Sequence, residues 1–205
     1  MGAKAGLVYL GEGLPSAVLQ TDFRPDPARS AELAGTVLGG PVRTNGVRAL
    51  TEGGVWPERG TICVAAWEEF ALIGYHEICP DRPSEIGTWI KAVSPTGSAY
   101  GVFMHSVVDF GAFAVWEAGE LRRSVSLSAD SGIMEDIGTR YSFEAPFWAG
   151  DRGLAHAPDY PLPFHPLDLA EEALLAFFGF GIERSSSMFT IDADSIVLPA
   201  FRLAE

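Results

Sequence analysis

Residues 99–128, AYGVFMHSVVDFGAFAVWEAGELRRSVSLS, are the stretch of sequence that decides the fold. Their β-branched and aromatic residues predict three consecutive antiparallel strands over Ala99–Asp109, Gly111–Glu117 and Leu121–Ser128. Ala118-Gly119 supplies a tight turn between the last two strands. In the third strand we expect an apolar face and a polar face, formed by Leu121, Val125 and Leu127 against Arg122, Ser124, Ser126 and Ser128. This alternation is typical of a sheet with one face in water.

The rest of the chain adds strands and helices around these three strands. Further strands are predicted at residues 5–10, 47–50, 61–67, 70–78 and 196–203, with Glu68-Glu69 as the turn between the strands at 61–67 and 70–78. Helical patterns predict helices near residues 14–19, 27–38, 84–93 and 167–178. The sequence therefore predicts a single α+β domain over residues 1–205, with a mixed, mainly antiparallel sheet and its helices packed on one face.

Residues 129–166 are predicted to form a long loop rich in proline and aromatic residues. Its six aromatic residues are Tyr141, Phe143, Phe147, Trp148, Tyr160 and Phe164. A hydrophilic linker would not carry so many, so we expect the loop to pack onto the sheet as a structural arm. The alternative is that it lines a ligand groove, with Trp148, Tyr160 and His165 as candidate binding residues.

The charge balance limits the classes of partner. The chain has 27 Asp and Glu residues against 14 Lys and Arg residues, a formal net charge of −13. Such a surface repels phosphate backbones, so nucleic acid is not an expected partner. A basic protein is compatible with the charge, and the sequence does not predict the oligomeric state.

Several features favour a cytoplasmic protein without a membrane segment. No apolar run reaches the roughly 18 residues of a membrane span, and the N-terminus lacks the apolar segment of a signal peptide. Two cysteines, Cys63 and Cys79, are too few for a disulfide framework and suit a reducing compartment. The only lysines are Lys4 and Lys91, and this preference for Arg is typical of GC-rich bacterial genomes.

The segment HSVVD contains the residue types of a catalytic triad. In the predicted strand, His105 and Ser106 point to opposite faces, while His105 and Asp109 lie roughly 13 Å apart at about 3.3 Å per residue. A triad of these residues alone is therefore not expected. His105 is either a hydrogen-bonded sheet histidine or a catalytic residue with a partner from another segment.

Carboxylates beside the aromatic loop are the other catalytic candidates. Glu135 and Asp136 precede its aromatic residues, and Glu144 lies among them. Paired carboxylates perform acid–base chemistry when their environments separate their pKa values. Adjacent carboxylates are also common as solvated turn residues, so both interpretations stay open. Together with His105 and Asp109, Glu135 and Asp136 form the set of candidate catalytic residues.

The sequence predicts neither a cofactor nor a metal. Gly11-Glu12-Gly13 follows a strand, but Ser16 stands where a dinucleotide-binding loop requires its third glycine. Cys63, His76 and Cys79 are metal-ligand types, and His76-x-x-Cys79 is a usable spacing for two ligands. A structural zinc site takes four ligands, however, and no second Cys or His pair follows at zinc-finger spacing.

Four motifs give the chain a specific resemblance. They are MGAK (Met1–Lys4), FMHSVVDFGAFAVWEAGELRRSVSLSADSGIMEDIG (Phe103–Gly138), FEAPFWAG (Phe143–Gly150) and YPLPFHPLDLAEEALLAFFGF (Tyr160–Phe180). On these motifs the chain resembles a family of uncharacterised bacterial proteins, a domain of unknown function found mostly in GC-rich Gram-positive bacteria. The resemblance covers most of residues 99–205 and is poor over residues 10–60. It implies a stand-alone cytoplasmic domain and assigns no activity to any residue.

Two functional hypotheses follow from the sequence. The first is a non-catalytic binding or interaction protein, such as an acidic partner or inhibitor of a basic protein. Its support is the net charge of −13 and the lack of a complete catalytic or cofactor motif. The alternative is a small hydrolase-like enzyme with a site around His105 and the 129–166 loop. The sequence favours the first hypothesis and does not decide whether the chain is an enzyme.

Overall fold

The computed structural model describes residues 2–19, 24–94, 96–154, 160–184 and 186–204. In this part of the chain one sheet contains the strands β1 (Lys4–Leu10), β2 (Val42–Ala49), β3 (Ile62–Ala66), β4 (Ala71–Gly74), β5 (Ala99–His105), β6 (Phe110–Glu117), β7 (Glu120–Ser128), β8 (Gly132–Gly138) and β9 (Val197–Leu203). Their order is β2-β9-β3-β4-β1-β5-β6-β7-β8. All neighbouring strands pair in antiparallel fashion. The predicted α+β class is confirmed, with an antiparallel sheet in place of the predicted mixed one.

The α-helices begin and end where local residues favour it. They are α1 (Pro15–Val18), α2 (Pro27–Leu38), α3 (Gly87–Val93), α4 (Ala145–Trp148) and α5 (Pro166–Phe178). At the start of α2, the Asp26 carboxylate accepts hydrogen bonds from the backbone N–H groups of Ala28 and Arg29. Gly39, with a φ of 77°, ends the same helix in the left-handed conformation. The predicted bounds of α2 are therefore confirmed.

The helices cover both faces of the sheet. Along β1, Leu7 and Tyr9 pack on one side, the α5 face, which α5 covers. Val8 and Leu10 pack on the other side, the α2–α3 face, which α2 and α3 cover. The prediction that the helices pack on one face is therefore wrong. Both sides of the central strands are apolar, and each side needs a cover to leave water.

β7 departs from the predicted alternation of polar and apolar faces. Its register with β6 shifts at Arg122, so Leu121 lies on the α2–α3 face while Val125 and Leu127 lie on the α5 face. A short 3-10 helix at Pro83–Ile86 packs over the serine side of β7. The prediction of a face in water is therefore wrong, because this side is buried at Ser124, Ser126 and Ser128.

The segment predicted as a loop at residues 129–166 contains regular structure. It includes β8 at the edge of the sheet, a 3-10 helix at Ser142–Glu144 and the short helix α4. Its aromatic residues pack as expected, because the rings of Phe143 and Phe147 lie 5.4 Å from Phe177 and 5.1 Å from Phe164. They cover the α5 face as a structural arm. Residues 155–159 of the predicted loop lie outside the described residues.

Two predicted strands end earlier than expected. β5 stops at His105 and not at Asp109, and β4 stops at Gly74 and not at Ile78. Each strand is followed by one turn of 3-10 helix. Asp109 adopts a left-handed conformation with a φ of 43°, which reverses the chain so that β6 can begin opposite the end of β5. Because β4 and β5 both pair with β1, the two strands end at the same end of the sheet.

The helices in the described ranges are short compared with a membrane span. The longest helix is α5, with 13 residues, whereas a membrane-spanning helix needs about 20 apolar residues. None of the helices in these ranges is long and apolar enough to cross a membrane.

Candidate functional site

A cavity of about 800 Å³ opens at one end of the sheet. Its lining residues Cys79, Phe110 and Met134 pack on the α2–α3 face, whereas Trp56 packs with the α5 face. The cavity lies where β4 and β5 end and where β1 begins. The residues that give it chemical character are Lys4, Trp56, Arg59, His76, Cys79 and His105. The volume lies within the range of about 300–1,000 Å³ that is usual for small-molecule sites. This cavity is therefore the candidate functional site.

His105 enters the cavity through its register in the sheet. It is the last residue of β5 and lies directly opposite Lys4 on β1 and Phe110 on β6. Directly opposed residues of an antiparallel pair project to the same face, so all three side chains lie on the α2–α3 face. Burial and the positive charge of Lys4 lower the pKa of His105. Its ring is therefore neutral at pH 7.

His76 is positioned by a close approach between β1 and the end of β4. The Tyr75 N–H donates to the Gly6 carbonyl at 2.9 Å, and the Gly6 N–H donates to the Val55 carbonyl at 2.9 Å. A Cβ atom at position 6 would lie 2.4 Å from the Tyr75 carbonyl oxygen, so only glycine allows this contact. The two bonds bring His76 and Trp56, the residues that follow Tyr75 and Val55, to the start of β1.

Trp56 lies between the two histidine rings. Its ring centroid is 5.5 Å from that of His76 and 5.4 Å from that of His105. The ammonium group of Lys4 lies 5.9 Å from the same indole ring, within cation–π distance. The cavity therefore combines an aromatic surface with an ammonium group and two imidazoles.

The charged groups of the cavity differ in how they are paired. In the described ranges, neither Lys4 nor Arg59 has a carboxylate oxygen within 4 Å. The Glu58 carboxylate is ion-paired, because it lies 3.0 Å from both Arg48 and Arg202. Its own backbone N–H and Arg48 lower the pKa of Glu58 to about 2. All three carboxylates in the lining, Glu58, Asp81 and Asp130, are exposed.

The cysteines do not assemble a metal site with His76. Cys63 packs on the α5 face, whereas Cys79 packs on the α2–α3 face beside the cavity. Burial raises the pKa of each thiol to about 12, so both are protonated. Among the described residues, no group of three or more His, Cys, Asp and Glu side chains could hold a metal ion.

Three predicted site residues meet in a separate cluster at the start of α5. The Tyr160 hydroxyl donates to the Asp109 carboxylate at 3.4 Å, and His165 Nε2 lies 3.5 Å from the same carboxylate. Nδ1 of His165 accepts a hydrogen bond from the Leu167 N–H at 3.3 Å and so caps α5. The rings of Tyr160 and His165 stack at 5.7 Å. These contacts anchor the chain at the helix start, outside the cavity lining.

Glu135, a predicted acid–base candidate, is buried in a hydrogen-bonded pocket. Its carboxylate accepts from the Ser124 hydroxyl at 2.6 Å, from the Ser84 N–H at 3.2 Å and from the Ser84 hydroxyl. These bonds join β7, β8 and the 3-10 helix over β7. The Glu135 carboxylate does not contact His105, and Glu135 does not line the cavity.

Asp136 and Glu144 meet instead at the fully buried guanidinium of Arg123. Arg123 lies 2.6 Å from the Asp136 carboxylate and 2.5 Å from that of Glu144. Glu144 also accepts from the Trp148 indole N–H at 3.1 Å, while the guanidinium of Arg140 lies 4.0 Å from the Trp148 ring centroid. Despite partial burial, the bonds from Arg140 and Arg123 lower the pKa of Asp136. These groups form an ion-pair network within the fold, away from His105.

The comparison with known proteins identifies a family. The chain matches the model of a family of unknown function, DUF6928, over residues 5–201. The chain belongs to this family. The match confirms the resemblance seen in the motifs and extends it through residues 10–60, where the motifs had matched poorly. The matched range includes Trp56, His76 and His105, and Lys4 lies just before it. No curated protein and no solved structure matches the chain.

Sequence reasoning singled out His105 and His76 separately and missed Trp56, Lys4 and Arg59 as site residues. Trp56 does carry a signal, because a large aromatic residue stands alone in the Gly-, Pro- and charge-rich stretch GGVWPERG. Such a residue needs either a core or a ligand to cover it. Lys4 carries no such signal, because only its pairing with His105 brings it to the cavity.

Proposed function

We propose that this protein binds a small molecule in the cavity against Trp56, without catalysing its conversion. The observation that carries the proposal is the cluster of Trp56, His76 and His105 in a cavity of about 800 Å³. Ligand sites of proteins are concave and largely apolar, with few polar groups that set the orientation of the ligand. The proposed setting is the bacterial cytoplasm, as predicted from the sequence.

A basic protein remains a second possible partner of this acidic chain. Its support is the net charge of −13, which attracts basic surfaces over a broad area and at low salt. Because the charge describes the whole surface and no particular site, it supports a basic partner less specifically than the cavity supports a small ligand.

The alternative of a hydrolase-like enzyme has weaker support. A hydrolase that uses an activated nucleophile has its histidine hydrogen-bonded to the nucleophile and to an orienting group. Among the described residues, no side-chain carboxylate or hydroxyl is hydrogen-bonded to His105. The candidate carboxylates Glu135 and Asp136 are engaged by serine and arginine residues elsewhere. A binding role requires no such partner, so the geometry favours the binding role over the catalytic one.

Mass spectrometry of the purified protein tests the proposal. The full chain is purified from a bacterial host and analysed twice, under native conditions for bound mass and after denaturation for released small molecules. Wild type is compared with Trp56→Ala and with Trp89→Ala, which removes a partly buried tryptophan of α3 that does not line the cavity. We expect a small molecule on wild type and on Trp89→Ala, and its loss from Trp56→Ala.

Two results would contradict the proposal. One is a small molecule that Trp56→Ala retains at the same occupancy as wild type. The other is the recovery of a stoichiometric basic protein with no small molecule, which would favour the partner hypothesis instead.

A further inference from the structure

The cationic groups of the cavity are unusual for a chain of this composition. Carboxylates outnumber basic residues by 27 to 14, so a lysine or arginine is expected to find a carboxylate close by. Lys4 is half-buried and has no such partner in the described ranges; Arg59, which lines the same cavity, has none either but is exposed to solvent. A partly desolvated cation without a counter-charge is costly, and an anion placed beside it offsets that cost.

His105 adds a hydrogen-bond donor to these cations. Nδ1 of His76 and Nδ1 of His105 are both buried and have no hydrogen-bond partner among the described residues. Nε2 is therefore the nitrogen of His105 that can contact a ligand, whereas Nε2 of His76 lies 3.9 Å from the Glu77 carboxylate. A neutral imidazole carries its proton on one nitrogen. Buried N–H groups without a partner are rarer than buried acceptors without one, so the proton is expected on Nε2. His105 then presents an N–H donor to the cavity.

The acidic groups of the lining do not cancel this arrangement. Glu58 is bound by two arginines, and the thiol of Cys79 is protonated. Asp81 and Asp130 are exposed to solvent, where water screens their charge. Among the charged side chains of the described lining, Lys4 is half-buried, whereas Glu58, Arg59, Asp81 and Asp130 are exposed. The half-buried charge beside Trp56 is therefore the Lys4 ammonium.

We propose that the ligand of this cavity is a small organic anion. Its carboxylate or phosphate group contacts the Lys4 ammonium and the Nε2–H of His105, and its apolar part packs along Trp56. This inference rests on the proposed binding function and adds the chemical class of the ligand. Ammonium and imidazole donors recognise both carboxylate and phosphate, so the two anions are compared directly in the test.

Paired probes of equal shape and different charge test the inference. Benzoate and benzamide share a ring and differ in charge, and phenyl phosphate replaces the carboxylate with a phosphate. Binding of each to the full chain is measured by isothermal titration calorimetry and by quenching of tryptophan fluorescence. We expect benzoate or phenyl phosphate to bind at least about tenfold more tightly than benzamide, the factor expected from one hydrogen bond to a charged group.

Lysine variants assign the effect to Lys4. Lys4→Met is expected to weaken binding of the preferred anion by about tenfold or more and to leave benzamide binding unchanged. Lys4→Arg keeps the positive charge and is expected to restore most of the anion affinity. Lys91→Met removes the only other lysine of the chain, on α3, and is expected to leave the affinities of all three probes unchanged.

The outcomes separate this inference from the binding function itself. If benzamide binds as tightly as both anions, or if Lys4→Met leaves anion affinity intact, the cavity binds small molecules but the anionic class is wrong. If none of the three probes binds and no small molecule co-purifies with the chain, the binding function fails and the inference fails with it.

Discussion

Lys4 and His105 are directly opposed residues on β1 and β5, and both side chains project into the cavity beside Trp56. The pair joins the beginning of the chain to its middle, 101 positions later in the sequence. The ammonium group acts on the imidazole by its charge, without a hydrogen bond between them. The pKa of His105 therefore responds to the charge of Lys4.

Removal of the Lys4 charge should raise the pKa of His105. Burial lowers this pKa most and the Lys4 charge lowers it further, while a backbone hydrogen bond opposes both, so Lys4→Met removes one of the two lowering effects and leaves the larger one, burial. We expect the His105 titration to move toward the ordinary value of about 6.5 without reaching it. NMR titration of the imidazole resonances measures the shift. Lys91→Met is the matched control, and an equal shift in that variant would contradict the assignment to Lys4.

His105 should make stability depend on pH in the acidic range. Because its pKa is lower in the folded chain than the unfolded value of about 6.5, the unfolded chain takes up the proton first as the pH falls. The contribution is therefore fully present above pH of about 6.5 and is lost as the pH falls through the lowered folded pKa. Urea unfolding at several pH values measures the free energy of unfolding. His105→Gln should lose less stability than wild type over this window, and parallel curves would refute the prediction.

The buried Arg123 should be more important for stability than its exposed neighbour. Arg123→Met leaves the fully buried Glu144 carboxylate without its cation, and loss of one partner from a buried pair costs about 3–5 kcal/mol. Arg122 is exposed and pairs with Glu117 and Glu120, so Arg122→Met should cost no more than about 1 kcal/mol. Chemical denaturation of both variants provides the comparison. Similar losses in the two would show that the Arg123 network contributes little.

Gly111 should be required for the close packing of α5 on β6. A Cβ atom at this position would lie 2.2 Å from the Pro166 carbonyl oxygen, so Gly111→Ala must displace the start of the helix. Overpacking of this kind costs about 1–3 kcal/mol or more. Gly153→Ala is the control, because its nearest contact would be an ordinary 3.5 Å. Thermal unfolding of both variants tests the prediction, which fails if Gly111→Ala and Gly153→Ala unfold at the same midpoint temperature.

Local chemistry allowed several elements to be predicted from sequence. The bounds of α2 follow from Asp26-Pro27 and Gly39, which act within one turn of the helix. The turn at Ala118-Gly119 follows in the same way, since both residues adopt positive φ between β6 and β7. Such signals need no information from distant residues. The end of β5 was missed because it depends on a distant residue: β5 stops at His105, opposite Lys4 where β1 begins.

The sequence by itself determined the α+β class, the acidic charge and the main helices, because each of these depends on composition or on neighbours within a few positions. Tertiary structure alone decided that the helices cover both faces and that Lys4, Trp56, His76 and His105 share one cavity. These four residues lie on separate segments, and the register of β1 with β5 and the backbone bonds of Gly6 to Val55 and Tyr75 bring them together. A shift of one residue in that register would turn a side chain to the opposite face, so the site depends on the pairing of whole strands.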